Sequence, residues 1–215
     1  MIEGLFLVLE GVDGAGTTTH TKLLADALRA RGLPVRTTRE PSDGPVGVQI
    51  RQVLTGRLVV PGMQGGRPPS WSTMALLFAA GRMDHIEATV VPNLLDGVTV
   101  ISDRYYYSSV AYQSITGGGE PETIAWVKEI NRHARRPDLC IVLDIPEAVA
   151  AKRRASRGGR EIFDDGELQA QLATFYTKID DHFASDKIVH VDADRDVESV
   201  AADIMKHVRA ARGEK

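Results

Sequence analysis

The segment LFLVLEGVDGAGTTTHTKLL, residues 5–24, constrains the fold more than any other stretch of the chain. An unbroken apolar run, Leu5–Leu9, ends at Glu10 and passes into a turn with glycine at positions 11, 14 and 16. A helical pattern then starts near Thr17. Strand, glycine turn and helix in immediate succession aim consecutive backbone N–H groups and the positive end of a helix dipole at one point. That is the geometry of a phosphate cradle. Gly11, Gly14 and Gly16 allow close approach of an anion and positive φ. The eight residues Gly11, Val12, Asp13, Gly14, Ala15, Gly16, Thr17 and Thr18 match G-x-x-x-x-G-K-[ST] except at the lysine, where Thr17 stands. Thr18 supplies the hydroxyl that meets a magnesium ion in such loops. The bland reading is an ordinary glycine turn.

Further apolar runs at Val98–Ile101, Leu139–Leu143 and Ile188–Val191, and a weaker one at Val35–Thr38, read as strands covered on both faces. Between them, helices are expected near 17–31, 74–95, 120–134, 147–156, 165–184 and 197–211. On the first, Leu23, Leu24, Ala27 and Leu28 share a face; on the second, Leu76, Leu77, Ala80 and Met83 are spaced to cover a core. Alternation of this kind predicts a doubly wound α/β fold, one domain over 1–215, with 61–70 as a surface loop. A chain of 215 residues leaves little room for a second domain.

With 26 basic and 29 acidic residues, net charge is −3, which argues against a dedicated nucleic-acid binder. The single Cys140 cannot close an internal disulfide. Leu5–Leu9 lacks the flank of a signal peptide and the length of a membrane span. A soluble cytoplasmic protein with no membrane partner is expected. The six histidines have no zinc-ligand spacing, and His20 is expected on a helix surface.

A second chemical segment, SDRYYYSSVAYQ at 102–113, follows a strand. Ligands gather at the carboxyl ends of parallel strands, so Asp103 and Arg104 are placed to meet magnesium and phosphate; the plain alternative is a surface ion pair. A third, KRRASRGGRE at 152–161, carries five cations in nine residues around Gly158–Gly159. Arginine forks suit phosphate oxygens, while a solvated basic helix end is the bland alternative.

EGVDGAG, then TREP at 38–41, LLFAAGR at 76–82 and DRYYYSSVAYQ, in this order and spacing, resemble the thymidylate kinases over almost the whole chain. The resemblance implies a P-loop kinase fold with a five-stranded parallel sheet, phosphorylation of dTMP to dTDP with ATP and Mg2+, a homodimer, and a mobile lid near 152–165. It implies that Asp13 contacts the deoxyribose or organises the metal region, Pro41 walls the base pocket and Phe78 stacks on thymine. Arg82 reaches a base carbonyl, Arg104 holds the dTMP phosphate, and Ser109, Tyr112 and Gln113 line the base and sugar pocket. From the lid, Arg157 and Arg160 serve as catalytic cations and Arg153 binds ATP, with Phe163 and Asp164 matching the lid pattern only loosely. For Phe78, plain core packing is the alternative. Two departures stand out: Thr17 for lysine, and Gly81 where the family often has aspartate. A monophosphate kinase of altered base preference and an inactive nucleotide-binding homologue are the rival readings.

Overall fold

Five strands, β1 (Phe6–Gly11), β2 (Val35–Arg39), β3 (Thr99–Asp103), β4 (Leu139–Asp144) and β5 (Ile188–Asp192), form one all-parallel sheet in the order β2-β3-β1-β4-β5. The computed structural model describes residues 4–62, 66–156, 162–163 and 165–214. β1 is buried along its whole length, as its unbroken apolar run requires for a central strand. β1 pairs with β3 on one side and β4 on the other, Leu9 opposite Asp103 and Gly11 opposite Leu143. The strand order reverses at β1, which opens a crevice beyond its carboxyl end. The arrangement is that of a P-loop kinase fold.

The helices are α1 (Thr17–Ala30), α2 (Pro45–Leu54), α3 (Trp71–His85), α4 (Val91–Leu95), α5 (Tyr106–Thr116), α6 (Pro121–Ile130), α7 (Glu147–Ala155), α8 (Gly166–Tyr176), α9 (Ile179–His182) and α10 (Val197–Ala211). α1 packs on β1, β2, β3 and α10, while α10 also covers β4 and β5. α5 lies against β1, α3 and α8. Among the described residues no helix is long and apolar enough to cross a membrane.

Several boundaries differ from the sequence expectation. The helix expected over 74–95 starts at Trp71, capped by the Ser70 hydroxyl, and passes through a π-helical turn (Ile86–Val90) before α4. Pro92 lacks the N–H that would continue the α pattern there. The region expected as one helix over 165–184 is split into α8 and α9, and α6 stops at Ile130, before the expected 134. α2, opened by Pro45 at its first position, was not expected.

The expected faces also shift. On α1 the inward positions are Thr17, His20, Thr21, Leu24, Ala25 and Leu28, with Leu23 and Ala27 turned out. On α3, Leu76 is 53% exposed and Ala80 faces solvent, while Met74, Ala75, Ala79, Arg82 and His85 point inward. Apolar spacing misassigned α3 because its buried face is partly polar.

Candidate active site

The phosphate loop is built as its residues require. Gly11, Gly14 and Gly16 all have positive φ, and Gly16 caps α1 in the left-handed region. A Cβ on Gly14 would stand 2.6 Å from the Ala150 carbonyl oxygen, so α7 packs directly against the loop. Arg154 of α7 reinforces that contact: its Nη1 donates to the Asp13 carbonyl at 2.8 Å, and Glu147 holds the same guanidinium at 2.6 Å. Arg153, the residue before it, donates to the Ala193 carbonyl just after β5 at 3.3 Å.

At the neighbouring strand end, Thr18 Oγ1 donates to Asp103 Oδ2 at 2.5 Å. Asp103 Oδ1 is buried and has no partner among the described residues. A hydroxyl and a carboxylate with a spare oxygen, side by side at the loop, are the hard oxygen donors that magnesium takes. The residues present fit the ion.

Arg104, the residue after β3, has φ 73, a left-handed conformation rare outside glycine. That turn brings its guanidinium back over the loop, where it donates to the Gly11 carbonyl and, at 2.7 Å, to Asp13 Oδ1. Burial alone would lower the Arg104 pKa, but Tyr112, Tyr176, Asp13 and Glu10 around it outweigh that and raise it well above the ordinary value. The arginine is a fixed cation.

Glu10, buried at the end of β1, anchors this cluster. It accepts from the Tyr105 backbone at 2.7 Å, Ser108 Oγ at 2.7 Å and Tyr176 OH at 2.8 Å. Burial pushes its carboxyl pKa up, while Arg104 and these donors pull it back. Asp13 accepts in addition from Tyr112 OH at 2.9 Å and from Gln169 Nε2 at 3.1 Å. Gln169 and Tyr176 both belong to α8 and were missed in the sequence. Only their helical spacing of seven, placing them two turns apart on one face, hinted that they act together.

Beside Arg104 opens a cavity of about 120 Å3. All eight residues expected around the acceptor line it: Asp13, Pro41, Phe78, Arg82, Arg104, Ser109, Tyr112 and Gln113. They come from the β1–α1 loop, the β2–α2 loop, α3, the end of β3 and α5. Glu40, Leu54, Tyr105, Ser108 and Phe163 complete the wall. Phe163 packs edge-on to Tyr112 at 5.3 Å, and Arg51 of α2 holds Pro41 by its carbonyl at 2.7 Å. Phe78 is half-buried and packs on Ile50, Val53, Leu54 and Met74, so it faces both a small apolar cluster and the pocket.

Arg82 is 2% exposed and already well bound. Nε donates to Glu40 Oε2 at 2.8 Å, Nη2 to Ser109 Oγ at 2.8 Å and Nη1 to Asn131 Oδ1. His85 faces the other Glu40 oxygen at 3.1 Å and shares a hydrogen bond with Thr38. Nη2 also lies 2.7 Å from Glu40 Oε2, so the carboxylate meets two nitrogens of the guanidinium. Gly81 packs tightly: a Cβ there would stand 3.2 Å from Ile50 and 3.3 Å from Val46. Gln113 Oε1, buried in a residue of the pocket wall, has no partner among the described residues.

His20 departs from its expected surface place. It is 5% exposed, tucked against Gly16, because a helix side chain leans back over the preceding turn. Arg157, Arg160 and Asp164 lie outside the described residues.

The thymidylate kinase family model matches residues 9–204. A probable thymidylate kinase of Thermococcus kodakarensis is 41% identical over 212 residues, covering 98% of this chain and all of the relative. A probable thymidylate kinase of Pyrococcus horikoshii is 38% identical, covering 97% of both chains. The thymidylate kinase of the bacterium Ruegeria pomeroyi is 37% identical over 95% of this chain and 94% of its own. With loop, strand-end arginine and pocket in one continuous site, and relatives matched from end to end, the chain belongs to the thymidylate kinase family.

Proposed function

We propose that the protein transfers the γ-phosphoryl group of ATP to the phosphate of dTMP, yielding dTDP and ADP. The observation that carries this reading is the position of Arg104, whose guanidinium bonds both the phosphate loop and Asp13 while lining the acceptor pocket. One side chain thus spans the two places that must exchange a phosphoryl group.

In-line transfer asks little covalent chemistry of a protein; it asks for positioning and charge neutralisation. Gly11 to Thr18 present backbone N–H groups to the ATP phosphates. Magnesium, when bound by Thr18 and Asp103, supplies charge neutralisation at the phosphates. Arg104 holds the acceptor phosphate, and Asp13, fixed by Arg104, Tyr112 and Gln169, faces the sugar. Phe78 and Pro41 flank the base, while Arg82, Ser109 and Gln113 offer polar groups to its edge. Arg153 contacts the ATP nucleoside side, and Arg157 and Arg160 close over the phosphates as part of a lid near 152–165. The working form is a cytoplasmic homodimer.

Thr17 gives a second reading a specific footing. A loop without its lysine fits an inactive nucleotide-binding protein. ADP release coupled to dTMP addition, with calorimetric titration of ATP, separates the two. Turnover dependent on dTMP supports the kinase; ATP binding with no turnover supports the inactive homologue.

A further inference from the structure

Gln169 is fully buried in α8, on the same inward stripe as Leu172 and Tyr176. Its Nε2 donates to Asp13 Oδ2 at 3.1 Å and to the Phe163 carbonyl at 3.0 Å, so both N–H groups of one amide nitrogen are committed. Both partners only accept, which fixes the end of the amide that is nitrogen. Oε1 is buried and has no partner among the described residues. An unmet buried acceptor is a cost that an apolar side chain of the same shape avoids. What the amide gives in return is the join between its two partners. Both of them line the acceptor pocket. Asp13 belongs to the phosphate loop, and Phe163 to the segment before α8, where the Ile162 N–H is held by the Leu54 carbonyl of α2 at 3.2 Å. The Phe163 ring packs edge-on to Tyr112, whose hydroxyl shares Asp13 Oδ2 with the amide.

We propose that Gln169 is a positioning residue for the acceptor nucleotide: its amide sets the separation of Asp13 and Phe163, and with it the fit of the acceptor pocket. The inference rests on the reading of that pocket as the dTMP site. Asp13 keeps two further donors, Arg104 and Tyr112, when the amide is removed, whereas the Phe163 carbonyl loses the donor that holds it. The pocket wall is therefore freed first and the carboxylate second. The brace on the other side of the loop, Arg154 on the Asp13 carbonyl, does not pass through Gln169. Loss of the amide should accordingly loosen the acceptor site while the ATP side keeps its shape.

The test is steady-state kinetics on the full chain with Gln169→Met, which fills a similar volume and removes both hydrogen bonds. The KM for dTMP should rise about three- to twentyfold, while the KM for ATP stays within about twofold of the wild type. In a Phe163→Ala background the same substitution should change the KM for dTMP by less than about twofold, because the ring it places is gone. An unchanged KM for dTMP in folded Gln169→Met overturns the inference and leaves the dTMP site intact. Equal rises in both KM values, as a generally loosened fold would give, overturn it too, and so does a full effect of Gln169→Met in the Phe163→Ala background. Absence of dTMP-dependent turnover in the wild type overturns both the inference and the reading beneath it. If Gln169→Met does not fold, 15N NMR of the wild type reads the same side chain: its NH2 signals should shift when dTMP is added, and signals that dTMP leaves unmoved overturn the inference by themselves.

Discussion

Arg104 Nη2 lies 2.7 Å from Asp13 Oδ1, joining the residue after β3 to the middle of the phosphate loop. Neither residue is positioned by its own segment alone. Arg104 reaches the loop because its φ of 73 folds the chain back, and Asp13 is held from α5 and α8 as well. The site is one mutually braced unit, so its members should fail together.

Removing the arginine tests that unit. Arg104→Ala is expected to lower kcat/KM for dTMP by about ten- to a hundredfold or more, from loss of one charge-assisted contact of about 1.5–3 kcal/mol. Steady-state kinetics with circular dichroism as a fold control measures it. Relief of the left-handed strain applies to Arg104→Gly, which should be more stable than the alanine variant in urea while remaining as impaired. Unchanged dTMP kinetics in a folded variant would remove Arg104 from the site.

Glu40 holds a buried arginine. Glu40→Ala leaves Arg82 without its main counter-charge in a site 1% exposed, and should destabilise the fold by about 3–5 kcal/mol in urea unfolding. The KM for dTMP should rise in the same variant, because Arg82 lines the pocket. A loss below about 1 kcal/mol, the range of exposed pairs, would contradict the burial argument.

Gly14→Ala should abolish tight nucleotide binding. Its φ is 98, and the new methyl would stand 2.6 Å from backbone, which cannot yield as a flexible side chain can. Calorimetric titration with ATP reads this. Wild-type affinity in the alanine variant would mean that α7 does not brace the loop.

How much of this was legible follows from where the signals lie. β1, the loop and the start of α1 are contiguous, so one window displays strand, glycine turn and helix together. Asp103 and Arg104 were placed because a buried apolar run announces a strand end. The eight pocket residues came through the family resemblance, whose motifs lie in the β1–α1 and β2–α2 loops, within α3, and from the end of β3 into α5. Gln169 and Tyr176 carry no motif: they reach Asp13 and Glu10 across 156 and 166 positions, and only packing of α8 on α5 brings them in. Apolar spacing misled at α3, where Arg82 and His85 are inside because Glu40, Asn131, Ser109 and Thr38 satisfy them. It misled at His20 likewise, since a polar letter was taken for a surface position.

His190 gives a pH prediction. Its hydrogen bond to Asp144 at 2.8 Å, with Asp180 on the opposite nitrogen, raises its pKa above 6.5. A raised histidine pKa stabilises fully below the unfolded value, and that gain is lost as pH rises through the folded value. The wild type should therefore lose part of its Tm advantage over His190→Gln between pH 6 and 8.5. A Tm difference independent of pH would mean that Asp144 and Asp180 do not raise the ring's pKa on folding.

The proposed lid supplies another prediction. If Arg157 and Arg160 provide the cation absent at Thr17, the Arg157→Ala/Arg160→Ala variant should lose kcat more than ATP affinity, because such contacts tighten in the transition state. Thr17→Lys should restore part of that loss. Wild-type turnover in the double variant would dispose of the compensation.

The central claim is that the pocket beside Arg104 accepts dTMP, and kcat/KM measured for dTMP, dUMP and dGMP tests it most directly. dTMP should be turned over best. Preference over dUMP should be modest, about 10- to 200-fold at most, because one methyl group in an apolar slot is worth about 1–3 kcal/mol. dGMP should be rejected more strongly, its purine being larger than thymine. Equal turnover of dGMP and dTMP, or ADP release that ignores the acceptor, would contradict the account.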